Sequence, residues 1–502
     1  MTTATGKNKR IAKNTFFLYC RQIITMAVSL YTVRVVLDVL GTEDYGIYNV
    51  VGGIVALFSF LGGTMASATQ RFLSFEMGKG ESGIPQKVFS VSVYIYLLLV
   101  GIILLLSETV GLWFVNNRLT IPEARLEAAN FVYQSTILSF TVTLLCIPYN
   151  ASVIAMERMN VFAYSGIVDA LLKLGIAVGL PFIAADHLKV YAVLMFFAVV
   201  SVQLYYLWYC RRYFGFCRYK SYKEPVLFRN MLSFAGWNMI GALANILRGQ
   251  GLNILINLFF SPMINAAYGI AMQVNNALTN FTNNFYTAVR PQLVKLYAGG
   301  KGEEMLELGY RSSRFAFYLM LVISMPILAN TQEILGVWLK VVPNYSVVFL
   351  RIVIVSSLVE VLSVPLVNML QASGQIKTYQ LTVSVMYLSG IPISYVFLYW
   401  GYKPEVTLWV NLLLVMLSMF PRLYICKKVI GLSVGQYIQK VMTRTCLCSG
   451  ITVLLCYFGT QNLLSANFLL TLFIQLILTG FAILFIGMNQ SERHSIYKQI
   501  IK

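Results

Sequence analysis

FFLYCRQIITMAVSLYTVRVVLDVL, residues Phe16 to Leu40, has the length and apolarity of a membrane-spanning helix, yet it carries Arg21 and Arg34. A spanning helix needs about 20 predominantly apolar residues. A charge at the bilayer centre costs about 2.5–3.5 kcal/mol even on the mildest scale. The stretch therefore states the fold class and poses a functional question together. Its apolar core is too long for a cleavable signal peptide, and no small-residue cleavage site follows.

Similar segments recur along all 502 residues, which are 58% hydrophobic and only 11% charged, against roughly 25% charged in soluble domains. The expectation is an all-α polytopic membrane protein. Hydropathy and breaker residues predict fourteen spans: 14–37, 47–70, 88–108, 128–149, 161–183, 190–210, 231–258, 265–289, 311–333, 346–369, 378–400, 406–426, 441–459 and 464–487. The connections are too short for a soluble domain.

A net charge of +19 would suggest nucleic acid in a soluble protein. Here it follows topology. On alternate loops, 28 Lys and Arg fall on one side and five (Arg118, Arg125, Lys189, Lys340, Lys403) on the other. Cytoplasmic loops carry the basic excess, so both termini are expected in the cytoplasm, and no nucleic-acid partner is implied.

The two halves echo each other. GKGE occurs at Gly78–Glu81 and Gly300–Glu303, E-x-x-G-x-W at Glu108–Trp113 and Glu333–Trp338, and a Pro-led segment at Pro148 and Pro365. The near-constant offset equals six spans. An even-numbered repeat keeps its orientation, so the halves are expected to be parallel six-helix lobes related by an axis along the membrane normal. The predicted organisation is an N-terminal lobe at 1–212, a basic cytoplasmic linker at 213–230, a C-terminal lobe at 231–430, and two extra spans with a tail at 431–502. Two facing six-helix lobes form an alternating-access layout.

Five bases lie inside spans. Arg34 and Arg351 are close enough to the outer ends to snorkel; Arg21, Lys173 and Arg248 are deeper. Arg21, Gln22, Thr25, Ser29 and Thr32 share helical spacing, as do Asn238, Gly241, Asn245 and Arg248. Gln273, Asn276, Asn280 and Asn283 line roughly one face of the eighth span, with Asn284 beside them. Such stripes avoid lipid, either by hydrogen bonding between helices or by lining a watered cavity. Asp169 and Lys173 have the spacing of a helical ion pair; that pairing and a role in ion coupling both fit. Glu360 is the other deep acid. Three deep bases against two acids predict a cationic lumen suited to a phosphate or diphosphate.

No catalytic pattern is present. Lys301 is followed by Gly302, which excludes a P-loop. The two histidines, His187 and His494, fall in a loop and the tail, and no metal or cofactor site is legible. The eight cysteines show no zinc-like or secreted-scaffold spacing and read as small apolar fillers.

LGTEDYGIYNVVGGIVALFSFLGGTMASATQRFLSFEMGKGE, Leu40–Glu81, resembles the second-span region of Wzx-type polysaccharide flippases of the multidrug/oligosaccharidyl-lipid/polysaccharide (MOP) exporter superfamily. The turn L-G-x-x-x-Y-G-x-Y is Leu40, Gly41, Tyr45, Gly46 and Tyr48, and a diffuse likeness runs from about residue 8 to 435. The resemblance implies a MATE-like fold in the bacterial plasma membrane. It also implies movement of an undecaprenyl-diphosphate-linked oligosaccharide, an O-antigen or capsule repeat unit, from inner to outer leaflet. Membrane lipid, a coupling ion (H+ or Na+) and other polysaccharide assembly proteins are the implied partners. Arg21 and Arg248 are carried over as diphosphate-binding positions by their place in the repeat. A cation-coupled drug or metabolite antiporter of the same superfamily is the alternative. A glycan polymerase or ligase would need a large outer loop, and the longest here is about 113–127.

Overall fold

A computed structural model describes residues 4–56, 59–117, 119, 121–260, 262–339, 342–460, 468–490 and 492–493. No strand occurs among them. The chain forms two compact units, Lys9–Met239 and Ile240–Lys502 with the first few residues.

The first unit contains α1 (Ala4–Ala56), α2 (Ser59–Gly78), α3 (Pro85–Leu106), α4 (Leu112–Asn117), α5 (Leu126–Ala155), α6 (Met159–Gly179), α7 (His187–Tyr213) and the start of α8 (Pro225–Phe259). The second holds the rest of α8, then α9 (Pro262–Ala298), α10 (Gly302–Ala329), α11 (Thr331–Trp338), α12 (Ser346–Ser373), α13 (Lys377–Tyr399) and α14 (Val406–Ile430). It closes with α15 (Val434–Tyr437), α16 (Thr443–Thr460) and α17 (Phe468–Ala482).

Local chemistry sets the breaks. α1 is two helices joined at Gly41, whose φ of 74° and ψ of 173° lie where a side chain would be strained. Asp186 caps α7 by accepting from the backbone N–H groups of Leu188 and Lys189. It also binds Arg125 at 2.9 Å, and Arg125 reaches Asp44 through its Nε at 2.8 Å. One guanidinium thus ties the second limb of α1, the start of α5 and the start of α7. Partial burial opposes ionisation of Asp186, but the Lys189 and Leu188 N–H groups and the Arg125 charge outweigh it and hold its carboxyl below the usual range. At the other end of α1, Arg10 pairs with Glu157 at 3.1 Å and donates to the Met156 carbonyl at 3.1 Å.

Both units repeat one packing pattern. In the first, α5 packs on α2, α3 and α7, α2 on α3, and α6 on α7; in the second, α12 packs on α9, α10 and α14, α9 on α10, and α13 on α14. The helices correspond in chain order, and Pro148 and Pro365 sit inside the matching helices α5 and α12. The repeated GKGE lies at the equivalent link in each unit, but its turns differ: Gly80, its third residue, has φ 66° in one copy, whereas Gly300, its first, has φ 70° in the other. Outside the pattern, α16 and α17 pack on α10. Buried Asn330 donates to Gln475 at 2.6 Å and Tyr318 to the Gly487 carbonyl at 2.9 Å.

Twelve described helices are long and apolar enough to cross a membrane, against the fourteen expected. The expected spans 47–70 and 265–289 fall on α1–α2 and α9, outside those twelve; residues 57 and 58 of the former lie outside the described residues. α9 misses by composition, because its amides dilute its apolarity. Helices also overrun the predicted spans on the basic side. Arg71, Arg290, Arg311, Arg314 and Arg422, counted as loop bases from hydropathy, all sit within helices. Hydropathy marks where apolarity ends, not where the backbone stops being helical.

The charge asymmetry makes a direct prediction. In a background lacking the exposed Cys446, a membrane-impermeant thiol reagent applied to intact cells should label cysteines placed at Asn117 and Lys403 and spare one at Lys220. Labelling at Lys220 would overturn the orientation.

Candidate functional site

In the first unit, Arg21 lies against α6. Its guanidinium is 4.3 Å from the ring centroid of Phe162, an arrangement that stabilises a cation by roughly 0.5–2 kcal/mol. Its Cδ passes where a Cβ on Gly166 would stand, 2.8 Å away, so the lack of a side chain there makes the channel for Arg21. No carboxylate within ion-pair distance of Arg21 occurs among the described residues. Gln22 is half-buried. Thr25 donates back to the Gln22 carbonyl at 3.2 Å and Thr32 to that of Val28 at 2.8 Å, so these hydroxyls satisfy themselves along α1.

Asp169 and Lys173 pair at 2.7 Å, each side chain about one-third exposed. This i,i+4 pair is worth about 0.3–0.5 kcal/mol and is charge-neutral.

In the second unit, Arg248 is paired. Its Nη2 meets Glu360 at 3.3 Å, and its guanidinium lies 4.1 Å from the ring centroid of Tyr387. The Tyr387 hydroxyl donates to Glu360 at 3.2 Å and accepts from Arg422 at 2.6 Å. Arg422, 4% exposed, also binds the Ser363 hydroxyl. Glu360 thus meets Arg248 directly and Arg422 through the Tyr387 hydroxyl, leaving a net positive charge within α8, α12, α13 and α14. Beside Arg248 is a tight cleft walled by Leu252, Tyr387, Ser394, Thr407 and Asn411. Two buried groups there, Arg248 Nη1 and Ser394 Oγ, have no hydrogen-bond partner among the described residues. Burying such groups without a partner is costly.

The amide stripes divide. Asn238 is buried and donates to the Phe234 carbonyl at 3.1 Å; exposed Asn245 donates to that of Gly241 at 3.0 Å. On α9, Gln273, Asn276, Asn280 and Asn283 are all exposed, a polar row roughly 15 Å long at helical rise. Their neighbours on the opposite face, including Ala271, Leu278, Phe285 and Tyr286, are buried. Asn275 accepts from Ser357 of α12 at 2.6 Å. The row is therefore the uncovered face of a helix whose other face packs on α12. Arg34 and Arg351 are exposed, and Arg351 donates to Thr331 at 3.2 Å.

Hydropathy missed Arg422 and Tyr387. The signal for Arg422 was the apolar run Leu423–Cys426, which continues the helix past Pro421. Arg71, likewise read as a loop base, is buried against Phe72, Phe75 and Phe234 at 4.6–5.5 Å. Arg290 binds Asn368 at 3.2 Å.

A family model described as "Polysaccharide biosynthesis protein" matches residues 11–297. No curated protein sequence matches the chain. Among solved structures it is similar to the MATE transporter ClbM in complex with Rb+ (15% identity, 86% of this chain and 97% of that one, TM-score 0.69). It is similar to a MATE in the bent conformation (13% identity, 86% and 98% covered, TM-score 0.72). It is also similar to a MOP superfamily transporter from Pyrococcus furiosus, described by a reverse polarity of its binding pocket that suggests a different function (12% identity, 84% and 96% covered, TM-score 0.66). At these identities the likeness is one of fold.

Proposed function

Because the chain belongs to the polysaccharide biosynthesis protein family, within the MOP superfamily of transporters, we propose that it is a flippase in a bacterial plasma membrane. It moves an undecaprenyl-diphosphate-linked oligosaccharide from the inner to the outer leaflet by alternating access. The observation that carries this reading is Arg21, a guanidinium within an apolar helix that has an aromatic ring beneath it and no acid beside it among the described residues. Such a group stays charged at physiological pH and offers a planar fork of donors matched to phosphate oxygens. Arg248 contributes the unpartnered edge Nη1 while Glu360 holds the other edge. The exposed amides Gln273, Asn276, Asn280 and Asn283 supply donors and acceptors for sugar hydroxyls.

A cation antiporter would use deep carboxylates to meet its substrate. Here Asp169 faces Lys173, and Glu360 faces Arg248 and Tyr387. The pocket of reverse polarity described for the Pyrococcus furiosus transporter, said to suggest a different function, offers a parallel. Expression in a flippase-null strain tests the reading: surface glycan should return, and susceptibility to cationic drugs should not change. Drug efflux without restored glycan would overturn it in favour of the antiporter.

A further inference from the structure

The link from α13 to α14 builds a cleft lined by neither Arg21, Arg248 nor the amides of α9. Trp400, Tyr402, Lys403, Glu405 and Trp409 line a concavity of about 660 Å³, within the range of roughly 300–1,000 Å³ for small-molecule sites. Interfacial Trp and Tyr are common in membrane proteins. Here the backbone turn sets them around an open concavity. Gly401 ends α13 with φ 83°, the left-handed turn glycine favours. Phe397 then braces both flanking rings edge-on, Trp400 at 5.8 Å and Tyr402 at 5.4 Å between centroids. Rings held in this way lose little freedom on binding. The indoles remain available, with Trp400 66% and Trp409 53% exposed. In the same wall Glu405 Oε2 is buried and has no hydrogen-bond partner among the described residues, an acceptor in need of a donor.

We propose that this cleft binds a neutral saccharide: apolar faces of sugar rings stack on Trp400 and Trp409, and a sugar hydroxyl donates to Glu405. The inference rests on the flippase reading, and the charge on alternate loops is expected to put the cleft on the outer face, where the glycan would emerge. An anionic lipid headgroup is the competing occupant, drawn by Lys403 and repelled by Glu405, and a phosphate probe separates the two.

The test uses the full chain in nanodiscs and two probes: the repeat-unit oligosaccharide freed from its lipid by mild acid, and undecaprenyl phosphate without sugar. The freed oligosaccharide should quench tryptophan fluorescence saturably. Trp400→Ala with Trp409→Ala, and separately Glu405→Gln, should each weaken its binding by about tenfold, equivalent to ~1.4 kcal/mol. Undecaprenyl phosphate should bind these variants as it binds the parent. Unchanged sugar binding in both variants would overturn the proposal, as would a loss of undecaprenyl phosphate binding equal to the loss of sugar. Glycan export by the unmodified protein in the null strain tests the flippase reading separately, so either can fail alone.

Discussion

A variant carrying Arg21→Ala and Arg248→Ala should reach the membrane at near-normal abundance and export no measurable glycan. Each arginine is proposed to make charge-assisted hydrogen bonds to diphosphate oxygens, and such bonds are worth about 1.5–3 kcal/mol apiece. Losing one from each residue removes about 3–6 kcal/mol, or two to four orders of magnitude in affinity. Folding should survive for two local reasons. Arg21 is not the partner of any described carboxylate, so its removal strands no charge. Arg248 does pair with Glu360, but that carboxylate keeps the Tyr387 hydroxyl at 3.2 Å and, through it, the charge of Arg422. Lysine at either position should restore export in part, because it returns the charge without the planar fork. Arg34→Ala, at an exposed site, should export nearly as well as the parent. The measurement is surface glycan in a flippase-null strain with membrane abundance quantified alongside. An abundant double variant that exports fully would end the diphosphate assignment. Loss of abundance in step with export would make the arginines structural anchors.

Glu492→Ala should lower the thermal stability of the purified protein more than any surface charge change. Glu492 is buried and takes the guanidinium of Arg314, which is itself 2% exposed. Arg311 approaches the same carboxylate at 3.5 Å, and Arg314 also donates to the Lys440 carbonyl at 2.9 Å. One acid thus pairs with two bases where the tail meets α10. Breaking a buried pair by removing one partner costs about 3–5 kcal/mol, because the remaining charge is left without compensation. An exposed pair such as Lys301–Glu304, each side chain more than half exposed, is worth about 0–1 kcal/mol. Replacing both partners by apolar residues, Arg314→Met with Glu492→Leu, should recover much of the loss. A melting curve for Glu492→Ala that overlays the parent would refute the pairing.

The depth of the arginines was only half legible in the sequence. Arg21 and Arg248 stood out because they interrupt apolar runs. Arg422 did not, since it lies just before Lys427 and Lys428 and resembles the first base of a loop. Its burial comes from Ser363 and Tyr387, 59 and 35 residues away, and no local window contains them. The same holds for Arg314, whose acid lies 178 residues on.

What the sequence determined by itself was whatever depends on neighbours along the chain. Helix after helix follows from apolar runs of spanning length, the repeat from matched spacings, and the expected orientation from the charge on alternate loops. The helices and the orientation reflect the cost of putting backbone dipoles or charges into hydrocarbon, which each segment meets separately. The tertiary structure decided which charges are compensated. Asp169 and Lys173 pair within one helical turn, so their spacing foretold it. Arg248 and Glu360 pair across two helices and the bases on α14 and α10 across more, because a partner there is chosen by packing. α9 unites both lessons: its amides were visible as a stripe, but only the packing of its opposite face on α12 shows that the stripe is the side left uncovered.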